Sequence, residues 1–586
     1  MISIRPLLKL LTIIIILIIV LSSNCYPDVH FVSKTGTSQF PYTSWVTASD
    51  SIQKCINVCN SGDTVYIANG TYKETLVIAI PISLFGSSMD STVVDGTGLA
   101  KTTVNITADI HIENINFIGR GVEPLTNVLF STKNLAYIRI RNCRVSNALE
   151  AIGISWGNAF LENIISKDGS NNIYISKNVV NYVDTIQNCV IIMNGTSTGD
   201  ALYLEGNSFI SNNILVALNS NSLYGIYCDY TDSLTINNNI ILGFSIGLTF
   251  SQIPDTAIME NNLINYSIDY GIGSYGKGSK FRNNIFTGNM NPIYLSGDTT
   301  KNRTDYNLFW KNKISIPLGQ VMGEHDITAD PMFVNDDAII TYPLKSDYHL
   351  QAFSPAINQG DPSILNKDLS RSDIGAYGGP NGETYKYDDL APKPPRNLTA
   401  VVDSFMITLT WDKNTEADTA YYNLYRDTIP GFTIDPSKLI SRQKGNVFIL
   451  PLPHNIKNLY YKLTAEDKTG HVSAPSEELT ITLSSTDKTY TVISDYKLFQ
   501  NYPNPFNPLT IISYRLKERG YVKLMVYDLT GKLIKVLVNE TKEQGYYEKE
   551  FNAKGLASGI YLYRIEVIGE NRIPKFNDMK KLIYLK

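Results

Sequence analysis

The chain has 586 residues, of which 43% are hydrophobic, and its formal net charge is −4 at pH 7. A chain of this length divides into about three or four domains. The slightly negative balance and the lack of a basic arm or patch exclude an electrostatic nucleic-acid binder, so we expect no nucleic-acid partner.

The first 25 residues have the pattern of an export signal. Arg5 and Lys9 supply positive charge, residues 10–21 are apolar, and a small polar segment ends at Cys25. The apolar run is shorter than the about 20 residues that a bilayer span needs. We expect residues 1–25 to be a signal peptide whose cleavage leaves no transmembrane anchor. A lipoprotein signal that uses Cys25 is the alternative.

A short phrase recurs through the next part of the chain: a polar residue, then Asn, then an apolar residue. Steps of 21 to 28 residues separate its asparagines, which are Asn114, Asn142, Asn163, Asn188, Asn213, Asn239, Asn262, Asn284 and Asn307. A period in this range indicates a repeat architecture. An extra match at residues 177–179 leaves the division into coils open around residues 165–190.

Each repeat contains short β-branched runs that Gly, Asn, Asp or Ser interrupt. Short strands with one coil per repeat predict a parallel β-helix, whose coils stack about 4.8 Å apart. We expect each of these asparagines at a turn in the left-handed conformation, with its amide bonded to neighbouring coils. The following apolar residue is expected to point into the core.

Six cysteines are present, and Cys143 and Cys189 each take the place of the apolar residue after a repeated Asn. One intervening coil would hold them about 9–10 Å apart, beyond the roughly 7 Å that a disulfide tolerates. We therefore expect buried free thiols. Cys55 and Cys59 lie in a segment with the pattern of a short amphipathic helix, and the cysteine spacing predicts no metal site.

Characteristic phrases frame the repeats at both ends. They are Ser51-Ile52-Gln53, Gly62-Asp63-Thr64-Val65 and Asn69-Gly70-Thr71-Tyr72 at the start, and Asp330-Pro331-Met332-Phe333, Ser354-Pro355-Ala356-Ile357 and Asp373-Ile374-Gly375-Ala376-Tyr377 at the end. They resemble the start and the closing segment of right-handed parallel β-helix proteins of the pectate-lyase-like superfamily. The resemblance implies such a helix over residues 26–380, with a capping helix that the first strands follow. It implies no single activity, since lyases, hydrolases, epimerases and adhesins share this fold.

A Pro-rich linker at residues 381–392 precedes a region, residues 393–484, that alternates apolar and polar positions as a β-sandwich does. The region resembles a fibronectin type III domain through Pro395-Arg396-Asn397-Leu398, Leu409-Thr410-Trp411 and Tyr422-Asn423-Leu424-Tyr425-Arg426. We expect Trp411 in the core of this module. The module is expected to act as a spacer.

A second linker, residues 485–494, leads to the most specific pattern, in residues 495–586. Its phrases are Leu498-Phe499-Gln500-Asn501-Tyr502-Pro503-Asn504-Pro505, Val526-Tyr527-Asp528 and Leu556-Ala557-Ser558-Gly559-Ile560-Tyr561. They resemble the C-terminal sorting domain of proteins that Gram-negative bacteria export by type IX secretion. The resemblance implies a small β-sandwich, the type IX machinery as partner, and secretion or delivery to the outer cell surface. The expected fold is all-β: a right-handed parallel β-helix solenoid followed by two small β-sandwich domains.

A second recurring strand lies between the Asn phrases, as in Ala201-Leu202-Tyr203-Leu204-Glu205. Alternation points its apolar residues inward, so its remaining side chains form one outward ribbon. The predicted substrate-binding residues on this ribbon are Trp156, Tyr203, Tyr227, Tyr230, Tyr275 and Tyr294. Aromatic rings can stack on sugar rings while carboxylates accept hydrogen bonds from sugar hydroxyls. An extracellular polysaccharide is therefore the predicted partner.

Glu205 and Asp229 are the candidate catalytic residues. Neighbouring coils would place their carboxylates about 5 Å apart, near the separation of a retaining glycosidase pair. The same carboxylates could bind Ca²⁺, and the metal requirement stays unknown. The Asn-Thr-Asp and Gly-His-Gly phrases of polygalacturonases are missing. Two interpretations stay open: polysaccharide binding, with or without lyase or glycoside hydrolase activity, and a non-enzymatic adhesin or structural stalk.

Overall fold

The computed structural model describes residues 27–585 except 100–101, 122–126, 132–135, 148, 168–170, 177–181, 195–198, 219–221, 230–232, 254–256, 277–278, 297–302, 315–321, 337–345, 404–405, 453–455, 484–494 and 570–572. The described chain is almost entirely β, with one α-helix, Ile52–Ile56, and one short 3₁₀ helix, Pro436–Lys438. It divides into two compact units, Met1–Asp389 and Leu390–Lys586. None of the described helices is long and apolar enough to cross a membrane.

Parallel strands of the first unit wind into a β-helix with three faces. The first face contains Val29–Val32, Thr64–Ile67, Ile82–Gly86, Ile110–Glu113, the beginnings of Tyr137–Ser146 and Asn158–Lys167, Asp184–Gln187, Ser208–Ser211, Leu234–Asn237, Ile258–Glu260, Lys280–Arg282 and Arg303–Asp305. The second face contains Gly70–Tyr72, Thr92–Asp95, Asn116–Ile118, the ends of the same two long strands, Val190–Met193, Ile214–Ala217, Ile240–Leu242, Leu263–Asn265, Ile285–Thr287, Leu308–Trp310 and Ile327–Thr328.

The third face forms a separate sheet. Its strands are Leu76–Ile78, Thr102–Ile106, Asn127–Ser131, Glu150–Ser155, Asn171–Ser176, Leu202–Glu205, Tyr224–Asp229, Ile246–Ile253, Tyr270–Gly276 and Asn291–Ser296. Inward-pointing Ile, Leu, Val and Phe side chains from all three faces form one continuous core. The predicted right-handed parallel β-helix is confirmed.

The short helix at the start of the β-helix packs its apolar side, Ile52 and Ile56, on this core. Its first turn is held by the Glu74 carboxylate, which accepts hydrogen bonds from the Ile52 and Gln53 backbone N–H groups, both at 2.9 Å. The expectation that the first strands follow this helix is wrong at one point. Strand Val29–Val32 precedes the helix and pairs with Thr64–Ile67. Its alternating pattern places Val32 in the core.

The repeated Asn phrase contains two columns of asparagine rather than one. The outer column has positive φ angles of 50° to 61° and consists of Asn114, Asn142, Asn163, Asn188, Asn212, Asn238, Asn261 and Asn283. The inner column lies one residue later and is buried; it consists of Asn213, Asn239, Asn262, Asn284 and Asn307. Inner amides bond to one another, as where Asn239 Nδ2 donates to Asn262 Oδ1 at 3.0 Å. The predicted single column is therefore wrong by one residue from Asn213 onward.

This one-residue shift reverses the direction of the next side chain. The apolar residue after each inner Asn was expected in the β-helix core, but it points outward from the second face. Ile240, Leu263, Ile285 and Leu308 are nevertheless buried, because a closing segment, residues 330–389, covers them with Phe333, Tyr348, Leu350 and Ile374. The segment is also hydrogen-bonded to the outer Asn column, where Asn261 Nδ2 donates to the Asp373 carbonyl at 2.8 Å. The closing segment thus runs back along the second face.

The repeat cysteines behave as expected. Cys143 and Cys189 are fully buried free thiols. Cys143 pairs in register with Ile164, and the next pairing, Ile165 with Val190, places Cys189 one coil further. One coil therefore separates the two thiols, and burial raises the pKa of both.

The second unit contains two sandwiches. The first consists of Thr399–Val402, Met406–Thr410 and Val447–Pro451 in one sheet and Leu439–Gln443, Thr419–Asp427, Asn458–Asp467 and Leu479–Thr482 in the other. The second consists of Lys497–Leu498, Leu509–Leu516 and Gly545–Asn552 in one sheet and Leu533–Lys542, Gly520–Asp528, Gly559–Ile568 and Pro574–Tyr584 in the other. Trp411 is buried against Tyr422 at a ring distance of 5.3 Å, as expected. The predicted domain limits stay predictions, and the signal peptide (1–25) and second linker (485–494) lie outside the described residues.

Candidate functional site

The third face carries its outward side chains in columns that run from coil to coil. In the central column, Tyr174, Tyr203 and Tyr227 are register partners on consecutive strands. Their strand neighbours, such as Leu202 and Leu204, point into the core, because successive side chains of a strand alternate between its faces. The register therefore brings three half-buried tyrosines into one row, which we call the tyrosine row.

The rings of the tyrosine row stack on one another. The ring centres of Tyr174 and Tyr203 lie 4.7 Å apart with an interplanar angle of 18°. Those of Tyr203 and Tyr227 lie 5.0 Å apart at 12°. The ring faces between neighbours are therefore already in contact, and the row offers mainly ring edges and hydroxyl groups to a ligand. This differs from the expectation that open ring faces would stack on sugars.

Glu205 and Asp229 lie two positions further along the same strands. They are register partners, so their Cα atoms are about one strand spacing, roughly 4.8 Å, apart. The Tyr203 hydroxyl donates a hydrogen bond to Glu205 Oε1 at 3.2 Å, and the Ser251 hydroxyl donates one to Asp229 Oδ1. Burial raises the pKa of Tyr203, together with the charges of Glu205 and Asp229, and burial with the charge of Asp229 raises the pKa of Tyr227. Both phenols therefore stay protonated and can donate hydrogen bonds.

Two further carboxyl groups, Glu150 and Asp200, lie on the opposite side of the row from Glu205 and Asp229. Glu150 begins the strand Glu150–Ser155, which neighbours the strand of Tyr174, and Asp200 precedes the strand of Tyr203. Burial raises the pKa of Glu150 to about 7 and that of Asp200 to about 6. The Glu150 charge in turn contributes to the raised pKa of Tyr174, and the Asp200 charge to that of Tyr224. Carboxyl groups thus lie on both sides of the tyrosine row, and the pKa values of two of them are raised toward neutral pH.

Gly153 leaves the space that the Glu150 carboxyl group occupies. Gly153 is the register partner of Tyr174 on the preceding strand. A Cβ atom at this glycine would lie 2.7 Å from Glu150 Oε1 and 2.9 Å from a ring carbon of Phe130. The Glu150 carboxyl group therefore lies over the strand beside an apolar ring, and such an environment disfavours its charged form.

The other predicted residues do not join the tyrosine row. Trp156 is 41% exposed and lies at the turn after its strand, with a φ of 71°. Tyr294 occupies the central column, but Thr249 and Gly273 separate it from Tyr227. It packs instead on Tyr270 with ring centres 4.9 Å apart. Tyr230 lies outside the described residues, as does the side chain of Tyr275.

Sequence reasoning missed Tyr174, Glu150 and Asp200. A signal for Tyr174 was present, because Asn172-Ile173-Tyr174-Ile175-Ser176 repeats the apolar and polar order of Leu202-Tyr203-Leu204-Glu205. The sequence has no comparable signal for the two acids, since their raised pKa depends on their burial in the folded chain.

A cavity of about 300 Å³ lies on a different part of the first unit, between the outer Asn column and the closing segment. Its lining includes Asn188, Asn212, Lys367, Tyr377 and Glu383. None of the residues that line the cavity belongs to the tyrosine row. The cavity therefore serves as a comparison region when the third face is tested.

We expect Glu150→Gln to stabilise the protein at about pH 8, by on the order of 1–2 kcal/mol, and to have little effect at about pH 4. Burial raises the pKa of Glu150 from 4.5 to about 7. Between these values the folded chain keeps a proton that the unfolded chain has lost, so the wild type loses stability as the pH rises through this window. Gln does not ionise and avoids this loss.

Urea unfolding of the variant and the wild type at both pH values measures the effect. Asp200→Asn should also stabilise the protein at high pH. The pH window of this effect ends lower, because the pKa of Asp200 is raised only to about 6. A Glu150→Gln difference that is equal at both pH values would contradict this account of the carboxyl group.

Comparisons with known proteins agree with the two-part organisation. Residues 108–320 match the family described as periplasmic copper-binding protein (NosD), and residues 500–576 match the family described as secretion system C-terminal sorting domain. No curated protein matches the chain. The chain therefore ends in a type IX sorting domain, which implies export and interaction with the type IX secretion system.

Similar solved structures are distant. The PL6 family alginate lyase AlyGC is 14% identical, with a TM-score of 0.30, and the match covers 58% of this chain and 58% of the lyase. The central fibronectin-III array of RIM-binding protein is 14% identical, with a TM-score of 0.13, over 34% of this chain and 70% of the array. Chitinase ChiA74 from Bacillus thuringiensis is 13% identical, with a TM-score of 0.14, over 29% of this chain and 28% of the chitinase. The chain thus spans little more than half of the lyase and less than a third of the chitinase.

Proposed function

We propose that the protein binds an extracellular polysaccharide along its third face, at the outer surface of a Gram-negative bacterium or in its medium. The tyrosine row with the neighbouring pair Glu205 and Asp229 is the observation that carries this proposal. Sugar hydroxyls both donate and accept hydrogen bonds. Protonated tyrosine hydroxyls and carboxylate oxygens, repeated from coil to coil, supply both kinds of partner.

The charge of the third face favours a neutral or amine-bearing polymer. Glu150, Asp200, Glu205 and Asp229 lie around the tyrosine row, and each adds negative charge when ionised. A polymer of uronic acids would be repelled unless a cation lay between its carboxylates and those of the protein. Ca²⁺, which prefers oxygen ligands, would suit that bridging role.

The same groups would support hydrolysis if the bound polymer is cleaved. A glycoside hydrolase needs one carboxyl group that donates a proton and one ionised carboxylate. Glu205 and Asp229, register partners on neighbouring strands, are the candidate pair for these two roles. Glu150 lies two strands away and five register positions earlier, roughly 19 Å from Glu205, which is too far for the acid partner. Binding is the primary proposal, and cleavage is the additional step that a product assay would reveal.

The second candidate function is a non-enzymatic adhesin or surface stalk. It is favoured by the stacking of the tyrosine rings on one another, which leaves few ring faces free for a sugar. Stacked tyrosines add attraction between coils, on the order of 1 kcal/mol for each pair, without any ligand. Under this alternative the third face would stabilise the β-helix and bind no glycan.

A glycan array and a reducing-end assay on the exported full chain, with and without Ca²⁺, separate these functions. We expect binding to neutral or amine-bearing glycans that falls at least tenfold in the double variant Glu205→Gln/Asp229→Asn. A tenfold loss corresponds to about 1.4 kcal/mol, a small part of what two lost charged hydrogen bonds remove.

The control is Asp50→Asn/Asp90→Asn, which removes the same charge at two exposed side chains, 59% and 63% accessible. It should bind as the wild type does. Equal binding by the wild type and the third-face variant would place the glycan elsewhere. No binding to any glycan would favour the stalk, and product release would establish an enzyme.

A further inference from the structure

A cluster of His30, Cys59 and Asp63 lies at the start of the β-helix, remote in sequence from the third-face residues. Each residue offers one ligand atom, and these atoms all lie within 4.8 Å of one another. His30 belongs to the first strand, Cys59 follows the short helix, and Asp63 precedes the strand Thr64–Ile67. His30 and Asp63 are almost fully buried, and Cys59 is partly exposed.

The histidine ring is oriented as a metal ligand would be. His30 Nδ1 lies 2.8 Å from the carbonyl oxygen of Pro41. A carbonyl oxygen only accepts, so Nδ1 carries the hydrogen and Nε2 faces the cluster. Metal-binding histidines commonly donate their other N–H to a backbone carbonyl in this way.

The contact between His30 and Asp63 requires a positive centre. Nε2 lies 3.2 Å from Asp63 Oδ2. A neutral Nε2 and a carboxylate oxygen are both acceptors, so a proton or a metal ion must lie between them. Tetrahedral zinc bonds of about 2.0–2.2 Å hold a nitrogen and an oxygen about 3.3 Å apart, close to the separation observed.

The Asp63 carboxylate is held in place by the backbone. Its Oδ1 accepts a hydrogen bond from the Asp28 N–H at 2.8 Å, and its Oδ2 accepts one from the Asn60 N–H at 2.7 Å. These bonds orient the carboxylate without the help of a ligand, as a preformed site requires.

The thiol of Cys59 is the third candidate ligand. Cys59 Sγ donates a hydrogen bond to the carbonyl oxygen of Cys55 at 3.3 Å, so this thiol must lose its proton when a metal ion binds. A thiolate is the form of cysteine that binds metals. The neighbouring Cys55 thiol and solvent at the partly exposed Cys59 are the available sources of a fourth ligand.

We propose that His30 Nε2, Cys59 Sγ and Asp63 Oδ2 bind one Zn²⁺ ion. Imidazole, thiolate and carboxylate are all common zinc ligands, and the mixed set suits zinc better than Ca²⁺ or Mg²⁺. Binding releases the proton of the Cys59 thiol and any proton on His30 Nε2. The ion joins the first strand to the capping helix and the next strand. The sequence did not predict this site because His30 and Asp63 are 33 residues apart and the cysteines form no paired-cysteine motif.

Cobalt titration of the metal-stripped, reduced full chain tests the proposal, because a cobalt–thiolate bond absorbs strongly in the near ultraviolet. We expect one equivalent of Co²⁺ to produce this absorption and Zn²⁺ to remove it by displacement. Zn²⁺ in hundredfold excess over its Kd should also stabilise the fold by about 2.7 kcal/mol. A wild-type chain without the cobalt–thiolate absorption would overturn the proposal.

Three variants, one of them a control, show whether these residues are the ligands. Cys59→Ala should lose the absorption, whereas Cys228→Ala, which removes a buried free thiol of the third face, should keep it. His30→Gln should weaken cobalt binding at least tenfold. Persistence of the absorption in Cys59→Ala would overturn the assignment. Circular dichroism on each variant shows that a lost absorption does not come from misfolding.

Discussion

Asn262→Ala is expected to lower the free energy of unfolding of the first unit by about 3–5 kcal/mol. Asn262 Nδ2 donates to the Ile236 carbonyl at 2.9 Å and to Asn284 Oδ1 at 3.0 Å. Its Oδ1 accepts from the backbone N–H and the side-chain amide of Asn239, each at 3.0 Å. Alanine leaves these groups buried without partners, and each such group costs about 1–3 kcal/mol. Urea unfolding followed by circular dichroism measures the loss.

Asn188→Gly is the matched control for the inner column. Asn188 belongs to the outer column, is exposed, and has a φ of 57°. Glycine adopts this conformation freely, so we expect a change of no more than about 0.5 kcal/mol. Equal losses in the two variants would contradict the account of Asn262 as a buried, fully hydrogen-bonded side chain and of Asn188 as an exposed one.

Leu263→Ala and Ile264→Ala are each expected to cost about 2–4 kcal/mol, with different consequences for the closing segment. Both side chains are 1% exposed, but they lie on opposite sides of one strand. Ile264 packs in the β-helix core, whereas Leu263 packs against Phe333 and its neighbours in the closing segment. Leu263→Ala should therefore loosen the closing segment more than the coils.

Hydrogen exchange by mass spectrometry distinguishes the two variants. We expect faster exchange in the described parts of the closing segment, residues 330–336 and 346–389, for Leu263→Ala only. Ile264→Ala should accelerate exchange in the neighbouring coils instead. If Ile264→Ala loosened the closing segment more than Leu263→Ala did, the assignment of Leu263 to the outer surface would be wrong.

The sequence was sufficient to predict the β-helix but not the direction of each side chain. The spacing of the Asn phrases identified the coils because each coil needs one sharp turn of limited residue choice. Doublets such as Asn212-Asn213 and Asn261-Asn262 are ambiguous, since asparagine suits both the left-handed turn and the buried column that follows it. An error of one residue in the register of a strand assigns each of its side chains to the opposite face of the sheet. The outward direction of Leu263 could therefore not be predicted from its position after Asn262.

Only one feature of the candidate site could be predicted from the sequence, namely which side chains strand alternation places on the same face. Alternation alone placed Tyr203, Glu205, Tyr227 and Asp229 on one side of the sheet. It could not predict that the tyrosine rings stack on one another, which depends on their rotamers and on the spacing of the coils. It also could not predict the raised pKa of Glu150, which requires the space left by a glycine on the same strand.

The most direct test of the proposed function is a hydrogen-exchange footprint of a bound oligosaccharide on the full chain. We expect protection in the third-face strands Asn171–Ser176, Leu202–Glu205 and Tyr224–Asp229, with the strongest effect around the tyrosine row. Protection confined to the cavity near Lys367 and Tyr377, or to the sandwiches of the second unit, would contradict the assignment of binding to the third face.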